Sequence, residues 1–197
     1  MVWGRGNGEL IAVLRGHREE VRALYAAPRN NSGGAVTVYS IADETDVKAW
    51  ALSPERNELA TLLRGHTDDV SCLALSGDRV ATGSLDRTVR LWAAADGHCI
   101  ATLAGHGGQV YCVALRCTGG GDGVVASGDS LSEIRLWNAT TGALIAALPD
   151  VHIGCVRDLQ LVNPTRLVSA GDRRRIVVWD LRSDGRDRVV MNRSTNN

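Results

Sequence analysis

The chain contains no phenylalanine, so Val, Leu, Ile, Ala and Trp must fill whatever core it builds. It carries no net charge, because 22 basic residues balance 22 acidic ones. That balance removes any global pull toward nucleic acid or an anionic membrane. No apolar run is long enough to span a bilayer. The opening Met1-Val2-Trp3-Gly4-Arg5-Gly6 is too polar to read as a secretory signal. The cysteines, Cys72, Cys99, Cys112, Cys117 and Cys155, are odd in number. They read as small buried hydrophobes in a reducing compartment, not as a disulfide framework. Cys112 and Cys117 have no second ligand pair at zinc-site spacing, and no metal is expected. An intracellular location follows, cytoplasmic or nuclear. Phosphate-cradling Gly-x-Gly-x-x-Gly and Lys-Ser/Thr loops are absent too, so Gly119-Gly120-Gly121-Asp122-Gly123 is a hairpin turn and no cofactor is expected. A length of 197 residues holds one ordinary domain.

What is present is a repeat. Trp50, Trp92, Trp137 and Trp179 are 42, 45 and 42 residues apart. Each closes a similar run: Val47-Lys48-Ala49-Trp50, Val89-Arg90-Leu91-Trp92, Ile134-Arg135-Leu136-Trp137 and Ile176-Val177-Val178-Trp179. A histidine precedes each Trp by 26 to 33 residues: His17, His66, His106 and His152. A valine follows each histidine by four (Val21, Val70, Val110, Val156), and Ser40, Thr82, Ser127 or Ser169 lies ten before each Trp. Self-similarity at this period marks an array of four-stranded units. Strand alternation places Cys72 and Cys112 on the same face as the valines two residues before them.

These residues resemble the WD-repeat β-propeller family over nearly the whole chain, although the Trp-Asp pair itself survives only at Trp179-Asp180. The resemblance implies an all-β fold of radial blades, each with four antiparallel strands a to d, here an incomplete propeller of about four blades. The expected division is a half-blade at 1–14 and repeats at about 15–57, 58–97, 98–142 and 143–185. Together they form one segment ending at 191, with a weak strand at 188–191 and a polar tail at 192–197. Val2-Trp3 reads as the end of a c strand and residues 9–14 as a d strand. Further d strands are expected at 59–63, 99–103 and 144–148, and turns at 28–34, 53–57, 119–123 and 138–142. Residues 9–14 are a candidate d strand for the fourth unit. A partial chain, completion by a second chain and a closed ring of four each account for the leftover half-blade.

The resemblance also implies a hydrogen-bonded tetrad of His, Ser/Thr, Asp and Trp inside each blade. Only the second unit matches it in full, at His66, Thr82, Asp86 and Trp92. The acid position holds Glu44, Leu131 and Arg173 elsewhere, with Asp129 and Asp172 out of register. The first, third and fourth blades are therefore expected to be less rigid. His17, Ser40, Trp50, His106, Ser127, Trp137, His152, Ser169 and Trp179 are assigned structural roles. Ser/Thr, His and Asp also mimic a hydrolase triad, but recurrence at one repeat position argues for bracing, and no nucleophile elbow is present. No catalytic residue is expected.

The family places the residue after the strand-a valine at the channel mouth: Arg22, Ser71, Tyr111 and Arg157. The residue before the turn acid faces the same surface: Asp43, Leu85, Ser130 and Asp172. Arg and Tyr dominate many binding surfaces, so the function implied is a non-catalytic scaffold that displays loops to proteins or peptides. No small-molecule substrate and no membrane are expected. Some family members, the substrate receptors of F-box ubiquitin ligases, grip phosphopeptides with arginines at this position. Ser71 and Tyr111 depart from that pattern. Arg173, Arg174, Arg175, Arg182, Arg186 and Arg188 make the C-terminal part locally basic, the basis for an RNA-associated alternative; the interleaved Asp172, Asp180, Asp184 and Asp187 argue for a solvated mixed-charge surface.

Overall fold

The computed structural model describes residues 2–3, 10–27, 36–53, 57–118, 123–148, 150, 152–173 and 175–181. The expected turn at 28–34, the weak strand at 188–191 and the tail at 192–197 lie outside the described residues, as do parts of the turns at 53–57 and 119–123 and the basic residues 174, 182, 186 and 188. Among the described residues every regular element is a strand, and no helix is long and apolar enough to cross a membrane.

A two-stranded sheet of β1 (Val2–Trp3) and β2 (Leu10–Ala12) precedes three four-stranded sheets. Blade 1 is β3 (Val21–Ala26), β4 (Val36–Ala42), β5 (Val47–Leu52) and β6 (Asn57–Leu63). Blade 2 is β7 (Val70–Ser76), β8 (Arg79–Ser84), β9 (Thr88–Ala93) and β10 (Cys99–Ala104). Blade 3 is β11 (Val110–Cys117), β12 (Gly123–Asp129), β13 (Ile134–Asn138) and β14 (Leu144–Leu148). Blade 4 has, among the described residues, three strands, β15 (Val156–Asn163), β16 (Arg166–Gly171) and β17 (Arg175–Asp180). All pairings are antiparallel meanders. Short alternating runs rich in Val, Leu and Ala and broken by tight turns fold this way because each strand pairs with the one just made.

Val2-Trp3 and the strand that follows it pair with one another, β1 with β2. The proposed loan of that d strand to the fourth unit does not occur. Among the described residues β17 pairs only with β16, because β2 is held by its own hairpin neighbour.

The core lies between blades. Tyr39, Ile41 and Val47 of blade 1 pack on Val70, Leu73, Val80 and Trp92 of blade 2. Cys72, Ala81, Val89 and Leu91 of blade 2 pack on Val110, Val113, Val125 and Trp137 of blade 3. Cys112, Ala126, Ile134 and Leu136 of blade 3 pack on Val156, Leu159, Leu167 and Trp179 of blade 4. Among the described residues no such cluster joins blade 4 to blade 1, so the closed ring of four is not formed.

One expectation about facing is corrected by these clusters. Val70 belongs to the blade 1–2 core and Cys72 to the blade 2–3 core, so they point to opposite faces. Val110 and Cys112 part in the same way. The cause is a β-bulge. The pairing steps from Val70↔Ser84 to Cys72↔Gly83, which leaves Ser71 without a partner. An extra residue in one strand inverts the alternation beyond it. Burial pushes the Cys72 thiol up to about 12, as expected of an inert core cysteine.

Candidate functional site at the bulged ends of the blades

The same bulge recurs in every blade. Pairing skips Arg22 between Val21↔Ala42 and Ala23↔Ile41. It skips Tyr111 between Val110↔Asp129 and Cys112↔Gly128, and Arg157 between Val156↔Gly171 and Asp158↔Ala170. With Ser71, these are the four residues that the sequence placed at the mouth. A bulged residue is released from the ladder and its side chain is re-aimed. The structure thus supplies a physical reason for a position the sequence could only number.

The four do not share one fate. Arg22 donates from Nε to Asp43 Oδ1 at 2.7 Å and from Nη2 to Asp43 Oδ2 at 2.5 Å. Arg157 donates from Nε to Asp172 Oδ1 at 2.9 Å. In both pairs the arginine side chain is 57% exposed and the aspartate 38%. Their hydrogen bonds raise the arginine pKa values and lower those of Asp43 and Asp172. Such exposed pairs orient side chains more than they stabilise the fold. Arg157 also stacks over the Tyr111 ring at 5.7 Å, and the Tyr111 hydroxyl donates to Gln109 Oε1 at 3.1 Å. Ser71 is different. Its hydroxyl lies 2.5 Å from the Val110 carbonyl oxygen and 3.1 Å from that of Gly83. Ser71 therefore ties blade 2 to blade 3. Ser130 accepts from the Gln109 amide at 3.1 Å, and half-buried Leu85 donates its own amide to the Asp69 carbonyl at 3.0 Å.

Beneath this surface lie the tetrads. In blade 2, His66 Nδ1 is 2.7 Å from Asp86 Oδ2 and Nε2 is 2.7 Å from Thr82 Oγ1, which accepts from Trp92 Nε1 at 2.8 Å. An ionised carboxylate only accepts, so Nδ1 carries the proton and Nε2 receives the threonine hydroxyl. Burial lowers the His66 pKa despite Asp86, consistent with a neutral ring. Burial works to raise that of Asp86, yet hydrogen bonds from Thr88, His66 and the Thr67 amide hold it at about 2.

Blades 1 and 3 complete the same circuit with acids the motif did not select. His17 Nδ1 lies 3.3 Å from Glu44 Oε2 and Nε2 lies 2.6 Å from Ser40, with Trp50 donating to Ser40 at 2.8 Å. Burial works against ionised Glu44, but Lys48 and the amides of Arg18 and Glu19 hold it at about 2. His106 Nδ1 lies 3.2 Å from Asp129 Oδ2, Nε2 lies 2.7 Å from Ser127, and Trp137 donates to Ser127 at 2.8 Å. Asp129 also accepts from the amides of Gly108, Leu131 and Glu133. Among the described residues only blade 4 lacks the acid. His152 Nε2 meets Ser169 at 2.7 Å and Trp179 donates to Ser169 at 2.8 Å. The buried His152 Nδ1 has no partner among the described residues. Asp172, three residues beyond Ser169, is committed to Arg157 and to the Cys155 amide. The expected gap in three blades is thus confined to one.

Two chemical readings of the tetrads fail on geometry. The Ser/Thr hydroxyls that face histidine are buried and each also accepts from an indole, so no substrate reaches them. His106, Asp129 and Glu133 are close enough to suggest metal ligation. Glu133, however, already accepts from Arg135 at 2.7 Å, and Asp129 is filled by three amides.

Comparison with known proteins agrees with this architecture. The family described as "WD domain, G-beta repeat" matches residues 56–93 and 97–138. "WD repeat-containing protein pop1" of Schizosaccharomyces pombe is 27% identical over 157 residues, covering 58% of this chain and 20% of that protein. "Nuclear distribution protein PAC1" of Arthroderma benhamiae is 30% identical over 148 residues, covering 70% of this chain and 30% of that protein. The chain therefore spans under a third of the length of these relatives. The solved structure of U3-55K superposes with a TM-score of 0.73 at 24% identity, covering 86% of this chain and 51% of that one; this likeness concerns the fold.

Proposed function

Because this chain belongs to the WD-repeat β-propeller family, we propose that it is a non-catalytic platform whose bulged blade ends hold a protein or peptide partner. The observation that carries the reading is the Arg157–Tyr111 stack braced by Asp172, with Arg22–Asp43 as its counterpart on blade 1. A guanidinium fixed by a carboxylate and an aromatic face loses little side-chain freedom on docking. Arg and Tyr are also the residue types that most often anchor interfaces. Asp43 already fills both arms of the Arg22 fork. A phosphate would have to displace that carboxylate, which favours a partner of mixed charge over a phosphopeptide.

The test is a triple substitution, Arg22→Ala, Tyr111→Ala and Arg157→Ala, in a chain whose melting is first shown to be unchanged. Proteins captured by the parent and lost by the variant support the platform reading, and identical capture refutes it. A panel of phosphorylated and unphosphorylated peptides separates the alternatives. Binding that requires phosphate and disappears with Arg22→Ala or Arg157→Ala would make the chain a phosphopeptide receptor. Salt-sensitive RNA binding by the parent would instead support the RNA-associated reading.

A further inference from the structure

The two ends of the blade array carry complementary halves of one joint. At the first end, β1 and β2 pair Val2↔Ala12 and Trp3↔Leu10. That register, with two residues of the d strand consumed at the Trp, also occurs in blade 2 as Leu91↔Ala101 and Trp92↔Cys99. Blade 3 repeats it as Leu136↔Ala146 and Trp137↔Leu144, and blade 1 as Ala49↔Thr61 and Trp50↔Leu59. β2 is therefore a d strand in ordinary register, and the two-residue β1 occupies the edge that a full c strand takes elsewhere. At the other end β17 is a full c strand with no d strand among the described residues. Its Val178-Trp179 is the same dipeptide as Val2-Trp3 in β1.

The exposed apolar positions of the two faces correspond as well. On the outward face of blade 1, Val21 and Leu24 are 52% and 64% exposed. Their counterparts Val70 and Leu73, Val110 and Val113, and Val156 and Leu159 are buried against the preceding blade. On the outward face of blade 4, Ile176 and Val178 are 71% and 41% exposed, whereas Val89 and Leu91, and Ile134 and Leu136, are buried against the following blade. One end presents the knobs of a blade contact and the other its receiving surface. Asp158 and Gln160 replace the cysteine–alanine pairs Cys72/Ala74 and Cys112/Ala114 at the inner end of that surface. This breaks up the apolar patch that a lone chain exposes.

We propose that the occupant of both ends is a second copy of this chain: blade 1 of each copy packs on blade 4 of the other, and β2 of each replaces β1 with the other's β17, restoring Val178↔Ala12 and Trp179↔Leu10. The contact is head-to-tail, and two such contacts close a two-copy ring in which β17 gains a partner strand. This inference does not depend on the partner-binding reading above, since the joint lies on blade faces and edges and leaves Arg22–Asp43 and Arg157–Tyr111 in place.

Sedimentation of the full chain over a wide concentration range tests it, with a mass of two chains expected. Ile176→Asp with Val178→Asp alters one end, and Val21→Asp with Leu24→Asp the other. All four positions are exposed within one chain, so folding is preserved and circular dichroism should be that of the parent. Each double variant alone should sediment as a single chain. Mixed in equal amounts, they keep one intact joint between them and should recover the mass of two. Removing residues 1–8 takes away β1, frees the β2 edge and should tighten the association. A parent that stays at the mass of one chain would overturn the proposal. So would a mass that grows without limit, a dimer indifferent to both double variants, or a dimer lost with residues 1–8.

Discussion

The Asp129 carboxylate meets His106 Nδ1 at 3.2 Å with neither side chain reaching solvent. Asp86 reaches its histidine from four residues beyond Thr82, whereas Asp129 does so from two beyond Ser127. Replacing Asp129 with Ala strands the His106 proton and three backbone amides in a buried site. Removing one member of a buried charged network costs about 3–5 kcal/mol. Urea unfolding at neutral pH checks the figure, and a loss below about 1 kcal/mol would contradict the bracing role of Asp129.

The histidines should not be equivalent. His106→Ala leaves the buried Asp129 carboxylate without its ring partner, while His152→Ala removes a ring that, among the described residues, is bonded through Nε2 alone. The expected order of destabilisation is His106 above His152, with a gap of about 1–3 kcal/mol. Equal losses in parallel melts would show that Nδ1 of His152 is satisfied in solution.

Gly83 marks a close approach between blades 2 and 3. A Cβ there would lie 2.6 Å from both Cys72 Sγ and Val110 Cγ1. Gly83→Ala therefore forces strand β11 away from β8 and should cost about 1–3 kcal/mol by overpacking. Denaturant midpoints of the two proteins give the comparison, and a variant as stable as the parent would mean that the blades separate freely.

Acid should unfold the protein in two stages. The pKa values of His17, His66, His106 and His152 are lowered from 6.5, chiefly by burial. Below that value the unfolded chain takes up protons that the folded chain refuses, so stability falls as the pH drops under about 6.5. Glu44 and Asp86, at about 2 in the fold against ordinary values of 4.5 and 3.8, contribute stability that is present above those values. It is lost as the pH falls toward about 2. Melting temperature followed from about pH 8 to about pH 3 should be flat, then decline, then decline more steeply. A rise on acidification would oppose both assignments.

The blades were legible because the Trp, His and strand-a Val recur at near-constant spacing, and a spacing survives being read in one dimension. The acids were not. Glu44 stands at the same offset from Trp50 as Asp86 from Trp92 and was passed over because it is a glutamate, one methylene longer, whereas Asp129 approaches from a different turn position that a fixed offset from Trp does not reach. Facing also escaped the alternation rule, because one unpaired residue, Ser71 in blade 2, inverts the strand from Cys72 onward. Ser71 looked like a surface residue by position, yet the next blade's Val110 carbonyl claims its hydroxyl. A contact made across two repeats leaves no mark within either. The WD-repeat identity needed none of these details, since it rests on the recurring marks themselves.

Among the described residues each hydrophobic cluster joins a blade to its immediate neighbour, which makes cohesion a chain of local links. Among the described residues blade 2 is clasped on both sides, whereas blade 4 has a single clasp, three strands and a histidine whose Nδ1 has no partner. Amide protons should therefore exchange with solvent first along β15–β17 and last along β7–β9, so that the molecule loosens from one flank inward.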